Sequence, residues 1–252
     1  FRVIPDQHPL PFVLPDLEDV PDSESGYALF DGNTSIRCAV PKFNNEFKTG
    51  FPITIEFWIN CATGTIGTQR VVINNFGYYQ VLILTTGALK FLIWDPVGGT
   101  NAWQFTSAFV PTANTWFKYE LTSQSTGSGT LTVYNLSNTA VSTESITFGT
   151  TVGTAPDNIV SIGNAYTGGS ALLGGLDELR IWNIVRTPTE LAKRRFQEIS
   201  GGETSLSLYL NFNCVSRFSW DNKKTGSLYT GTQGFTFNYP HVQFANDTFM
   251  SP

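Results

Sequence analysis

The stretch "GGLDELRIWNIVRTPTEL", Gly174 to Leu191, decides how the rest of the chain is read. Two glycines lead into an alternation of apolar and polar residues, the period of a β-strand with two distinguishable faces. The alternation then breaks at a helix start. Thr187 stands as N-cap, Pro188 at the first helical position and Glu190 three residues after the cap, which is a capping box. The helix is expected over 187–199, with Gly201 or Gly202 to stop it. On a regular strand Asp177 and Glu178 point to opposite faces, so they cannot share a proton or flank one bond. The expected arrangement has one carboxylate accepting N–H groups of the glycine-rich turn. The other faces solvent or pairs with Arg180 on its own face.

Outward from this ribbon, residues 26–214 read as short strands separated by Gly, Asn, Thr and Pro. "PITIEFWIN" alternates Ile53, Ile55, Phe57 and Ile59 with Thr54, Glu56 and Trp58. "RVVINNF", "YYQVLIL", "ALKFLIWD", "NAWQFT", "TWFKYELTS", "GTLTVYNL" and "LSLYLNF" are strands of the same kind. A dozen strands with one helix, and no strand-helix alternation, indicate an all-β, antiparallel two-sheet jelly-roll sandwich with extended terminal segments. Residues 1–25 hold five prolines and form an acidic arm that can be neither a central strand nor a helix interior. Residues 215–252 have too little apolar mass for a core of their own. They are expected to pack on the domain or on a neighbouring subunit.

Composition narrows the class. Charged residues are 14% of the chain against 41% apolar, so solubility rests on hydroxyls and amides, a balance we associate with extracellular or particle proteins. The arm carries six acids and one Arg, a charge of −5, and this accounts for the whole net charge of −5. The neutral remainder lacks the basic clusters that a nucleic-acid partner requires. The run Lys193-Arg194-Arg195 reads as a solvated helix face. Cys38, Cys61 and Cys214 cannot complete a disulfide framework, and none has zinc-ligand spacing. Cys38 and Cys214 are expected on neighbouring strands, bridged or as buried thiols. No run of apolar residues is long enough to insert into a membrane. The chain starts at Phe1 without Met, which we read as a processed or trimmed terminus.

"LLGGLDELRIWNIVRTPTEL" resembles the carboxy-terminal signature of laminin-G-like, concanavalin A-like jelly rolls, the group that includes the pentraxin fold. "YALFDGNTSIRC", "FPITIEFWIN" and "NTWFKYELTSQ" followed by "GTLTVYNL" resemble other strands of that family in order and spacing. The resemblance covers about residues 26–230. "VYNLSN" departs from the usual Asp-Gly turn. The resemblance implies a two-sheet fold, often calcium-binding, that serves glycan binding or protein adhesion.

Catalysis is not expected. A jelly-roll glycosidase carries paired carboxylates across a cleft, and no strand here holds acids at i and i+2 or i+4. His8 and His241 both lie in terminal segments, and there is no G-x-S-x-G or P-loop. Sugar sites combine an aromatic platform with amide and carboxylate hydrogen-bonders. Two loops offer that chemistry: Trp94, Asp95, Asn101 and Trp103 in one, Asn74, Tyr78 and Tyr79 in the other. The competing assignment makes the tryptophans core and the polar residues turn formers. Asp31 and Asp177, with loop carbonyls, are the candidate ligands of a structural calcium. Two functions follow. One is a non-catalytic extracellular module for glycans or glycoproteins, assisted by calcium. The alternative is a structural subunit of a virion, phage particle or filament, strapped to its neighbours through 1–25 and 215–252.

Overall fold

The computed structural model describes residues 27–32, 35–39, 52–63, 67–75, 79–95, 100–124, 128–147, 159–164, 170–197, 199, 203–216, 219–222, 227–230, 235–238 and 243–245. Two antiparallel sheets face each other. The first is ordered β10(Ala140–Thr147), β9(Ser128–Tyr134), β8(Trp116–Ser123), β3(Ile53–Cys61), β12(Leu173–Trp182), β13(Leu206–Ser216), β14(Ser219–Asn222), β15(Ser227–Thr230). β1(Tyr27–Asp31) also pairs β12, and β17(Gln243–Ala245) pairs β1. The second sheet is ordered β16(Phe235–Asn238), β2(Ser35–Ala39), β11(Ile159–Ile162), β4(Arg70–Asn75), β5(Tyr79–Ile83), β6(Leu89–Asp95), β7(Thr100–Thr106). The carboxy-terminal residues thus add strands to both sheets. The acidic arm 1–25 lies outside the described residues.

The strand that opened the sequence reading, β12, is the centre of the first sheet. Its first half lies between β1 and β3, and its second half between β13 and β3. The two glycines are required by this position. A Cβ on Gly174, whose φ is +142°, would sit 2.0 Å from the Asn60 carbonyl oxygen, and one on Gly175 would sit 2.7 Å from the Trp116 ring. Alternation puts Ile53, Ile55, Phe57 and Ile59 of β3 into the core with Tyr119, Leu121, Leu176, Leu179, Ile181, Leu208 and Leu210. Val81, Ile83, Leu89 and Phe91 meet them from the second sheet.

The regular alternation expected of β12 fails at one residue. Asp177 is opposite Trp58 and Arg180 is opposite Glu56, so three steps along β12 match two along β3. Glu178 is the extra residue, with φ of +49°, which is a β-bulge. Two residues rather than one then separate the core residues Leu176 and Leu179. Asp177 and Glu178 are therefore both turned to the outer face, not to opposite faces.

The helix is also shorter than the 187–199 expected. α1 runs Pro188–Lys193 behind the Thr187 cap, and both halves of the capping box form. Its last turn unwinds because the carbonyls of Arg194, Arg195 and Gln197 accept hydrogen bonds from side chains of the first sheet. The cysteine expectation fails too. Cys38 lies on β2 of the second sheet and Cys214 on β13 of the first, so their strands are not neighbours. Cys61 is a buried free thiol, pushed up to about 12 by that burial.

Gly175→Ala forces a methyl group into the Trp116 ring. Overpacking of this kind costs about 1–3 kcal/mol, which equilibrium urea unfolding measures directly. Unchanged stability would mean that the ring is not packed across β12.

Candidate functional sites

Over β8, β3 and β12 the outer face of the first sheet is covered by residues 183–197, which we call the strap. Across β8, β3 and β12 the outward residues form rows: Lys118, Trp58 and Asp177 in one, Glu120, Glu56 and Arg180 in the next. Tyr209 of β13 stands beside Arg180. None of these charged groups, nor Arg195 of the strap, is more than 3% exposed. Four carboxyls and three cations are thus sealed between sheet and strap.

Arg180 ties the layers together. Nη1 donates to the Arg194 carbonyl at 2.9 Å, and Nη2 donates to both the Gln197 carbonyl and Glu178 Oε2. Glu178 Oε1 accepts from the Tyr209 hydroxyl at 2.7 Å, and that hydroxyl accepts the Ile199 N–H at 3.2 Å. Glu56 accepts the Trp182 indole N–H at 2.8 Å and lies 3.5 Å from Lys118 Nζ and 3.6 Å from Arg180 Nη1. From the strap, Arg195 grips Glu120 through Nε at 2.7 Å and Nη2 at 3.1 Å. Its guanidinium lies 3.4 Å from the centre of the Tyr134 ring. Trp58 Nε1 donates to the Arg195 carbonyl at 3.2 Å. Arg195, read from the sequence as a solvated residue, is therefore a buried ion-pair partner.

Titration follows the same geometry. Burial would raise Glu56, but Lys118, Arg180 and the Trp182 hydrogen bond outweigh it, and the carboxyl is held below its ordinary range. Burial raises Glu178 against the pull of Arg180 and Lys118, and raises Glu120 against Arg195. Burial lowers Lys118 against Glu56.

Asp177 is fully buried in this cluster, and its Oδ1 accepts the Glu178 N–H at 2.8 Å. Asp31 lies opposite Leu173, four residues along β12 from Asp177. At 3.3 Å per residue that is about 13 Å. Register thus sets the two candidate calcium ligands apart along the ribbon, and Asp177 neighbours Lys118 and Arg180. Among the described residues there is no group of three or more His, Cys, Asp or Glu suited to a metal ion.

The residues chosen for sugar chemistry fall at one end of the second sheet. Register aligns Asn75 with Tyr79, Tyr79 with Ile93, Ile93 with Trp103, Trp94 with Asn101, and Asp95 with Thr100. Tyr78 lies outside the described residues. Asn74 is withdrawn from this rim: it is 2% exposed, and its Oδ1 accepts from Gln80 Nε2 at 2.9 Å.

The sequence reading missed Glu56, Lys118, Glu120, Arg195 and Tyr209, because acids were sought within single strands and these converge from several. The available signal was charge alternating with Trp in "TIEFWIN" and "TWFKYELTS". Such residues are free to be outward, and a helix following β12 buries them.

Two opposed antiparallel sheets with a capped helix behind the Asp-Glu ribbon define the concanavalin A-like jelly-roll class. The chain belongs to the concanavalin A-like lectin/glucanases superfamily, whose laminin-G family profile matches residues 30–192. No curated protein matches by sequence. A candidate carbohydrate-binding protein of Bacteroides ovatus is similar at 16% identity and a TM-score of 0.60, over 88% of this chain and 60% of that one. The receptor-binding domain of botulinum neurotoxin mosaic serotype C/D is similar at 13% identity and 0.50, over 66% of this chain and 40% of that one. At these identities the likeness is one of fold, and the chain spans less than two thirds of either protein.

Glu56→Gln keeps an acceptor for Trp182 but strands Lys118. Removing one partner of a buried ion pair costs about 3–5 kcal/mol. Because the folded carboxyl titrates low, its stabilisation is present above the ordinary glutamate value of about 4.3 and fades as pH falls through the lowered one. Thermal unfolding at pH 7 should show a large loss for E56Q that shrinks on acidification. A pH-independent difference would contradict the assignment.

Proposed function

We propose that this chain is a non-catalytic extracellular module that binds glycans or glycoproteins through the end of the second sheet where β4 to β7 turn. The observation that carries the reading is the likeness, at a TM-score of 0.60 over 88% of this chain, to a candidate carbohydrate-binding protein. The fold alone does not choose a ligand. The residue types that the register brings to that end are those a sugar site uses: Tyr79, Trp94 and Trp103 for aromatic stacking, and Asp95 and Asn101 for hydrogen bonds. The non-catalytic part of the reading is supported by the acids of the outer face. A glycosidase must bring two carboxyls to its substrate, whereas Glu56, Glu120, Asp177 and Glu178 are each sealed from solvent.

A glycan array probed with the full chain and with W94A/W103A tests this. Wild-type protein should bind a defined set of glycans. The double variant should lose at least about tenfold in affinity, ~1.4 kcal/mol, at an unchanged melting temperature. Absence of array binding, together with a native mass of many subunits, would reject the reading in favour of a structural assembly role.

A further inference from the structure

The sealed face holds four carboxyls, Glu56, Glu120, Asp177 and Glu178, against three cations, Lys118, Arg180 and Arg195. Four minus three leaves one carboxyl without a balancing charge. The geometry identifies it. Glu120 is gripped by Arg195, Glu178 by Arg180 and Tyr209, and Glu56 by Lys118, Arg180 and Trp182. Among the described residues Asp177 forms no ion pair; Oδ1 takes one backbone N–H, and Oδ2 has no hydrogen-bond partner.

We propose that Asp177 is a buried proton-binding site whose occupancy holds the strap closed, so that release of its proton to solvent frees residues 183–197 from the outer face.

An unpaired charge inside a protein is far more costly than a neutral carboxyl. With Asp177 protonated the cluster is neutral; with it ionised, one net negative charge is confined there. The groups facing it are Tyr27 of β1, Glu56 of β3, Lys118 and Glu120 of β8, Glu178 and Arg180 of β12, Tyr209 of β13 and Arg195 of the strap. Burial, then the nearby Glu178, hold the Asp177 carboxyl well above its ordinary value. Lys118, lowered by burial, gives up its charge in the same direction of pH and adds to the imbalance.

The strap is the part that yields. The sheets are held by their ladders and by the apolar core. The end of the strap is fastened to the cluster by Arg180 to the carbonyls of Arg194 and Gln197, Trp58 to that of Arg195, and Arg195 to Glu120. These four fastenings end in the groups that must absorb the extra charge, whereas Thr54 holds Ile184 and Arg186 at the start of the strap with neutral hydrogen bonds. Opening would bring Trp58, Trp182 and Tyr209, all now 0–1% exposed, to solvent.

The sign is fixed by linkage. A carboxyl raised in the folded state keeps its proton where the unfolded chain has lost it. Its contribution is therefore complete below the unfolded value of about 3.9 and is lost as pH rises through the folded one.

The test uses full-length protein with 13C-labelled aspartate carboxyls, titrated by NMR, alongside hydrogen exchange corrected for the intrinsic effect of pH. One aspartate signal, missing in D177N, should titrate well above the ordinary value. Protection of the strap amides relative to those of β5 and β6 should fall at least tenfold through the same midpoint. D177N keeps the Oδ1 acceptor without a titrating proton, and its strap protection should show no step at the midpoint of the wild-type aspartate titration. An Asp177 signal that titrates near 3.9 in the wild type overturns the proposal, whether or not D177N folds. So does wild-type strap protection that ignores the titration, or a D177N profile that matches the wild type. Glycan binding need not change in any of these outcomes, so the result stands apart from that of the array.

Discussion

A guanidinium sealed from water must find acceptors for its donors, and Arg180 finds them in two layers at once. Glu178 and Glu56 meet it from the sheet, and the carbonyls of Arg194 and Gln197 meet it from the strap. The strap seals the charge from water, and its carbonyls take over the acceptor role that water would otherwise play. The bulge at Glu178 makes the arrangement feasible. By adding one residue it brings two consecutive acids to the same face, and it puts Glu178 within reach of both Arg180 and Tyr209.

The strands β3, β8 and β12 of the first sheet are therefore buried on both sides for different reasons. Their inner face is apolar and packs on the second sheet. Their outer face is ionic and aromatic and packs on a short capped helix and the turns after it. Buried ion pairs add little to stability beyond what apolar residues of the same volume would add. What they add here is register. Arg195 reaches Glu120 and Tyr134, and Trp58 reaches the Arg195 carbonyl, only when the strap sits in one position.

The fold was legible because its signals are local. Alternation in β3 and β8, turn residues between strands, and the Thr187 to Glu190 box each depend on neighbours in sequence. The two glycines before Leu176 were visible as a signal but not as a reason, since Asn60 and Trp116 come from distant strands. The bulge was illegible. Nothing in "LDEL" distinguishes a regular ribbon from one with an extra residue, because the choice is made by the register of β3. The same gap hid the spacing of Asp31 and Asp177, which only the pairing of Asp31 with Leu173 sets at four residues along β12. Charge was misread at Arg195, which looks like a surface residue until Glu120 and Tyr134 of distant strands receive it.

Hydrogen exchange on R180M tests the central claim most directly. If Arg180 fastens the strap, the amides of residues 183–197 lose protection while those of β4 to β6 in the second sheet keep theirs. Equal loss across both sheets, or no loss in the strap, would contradict the account.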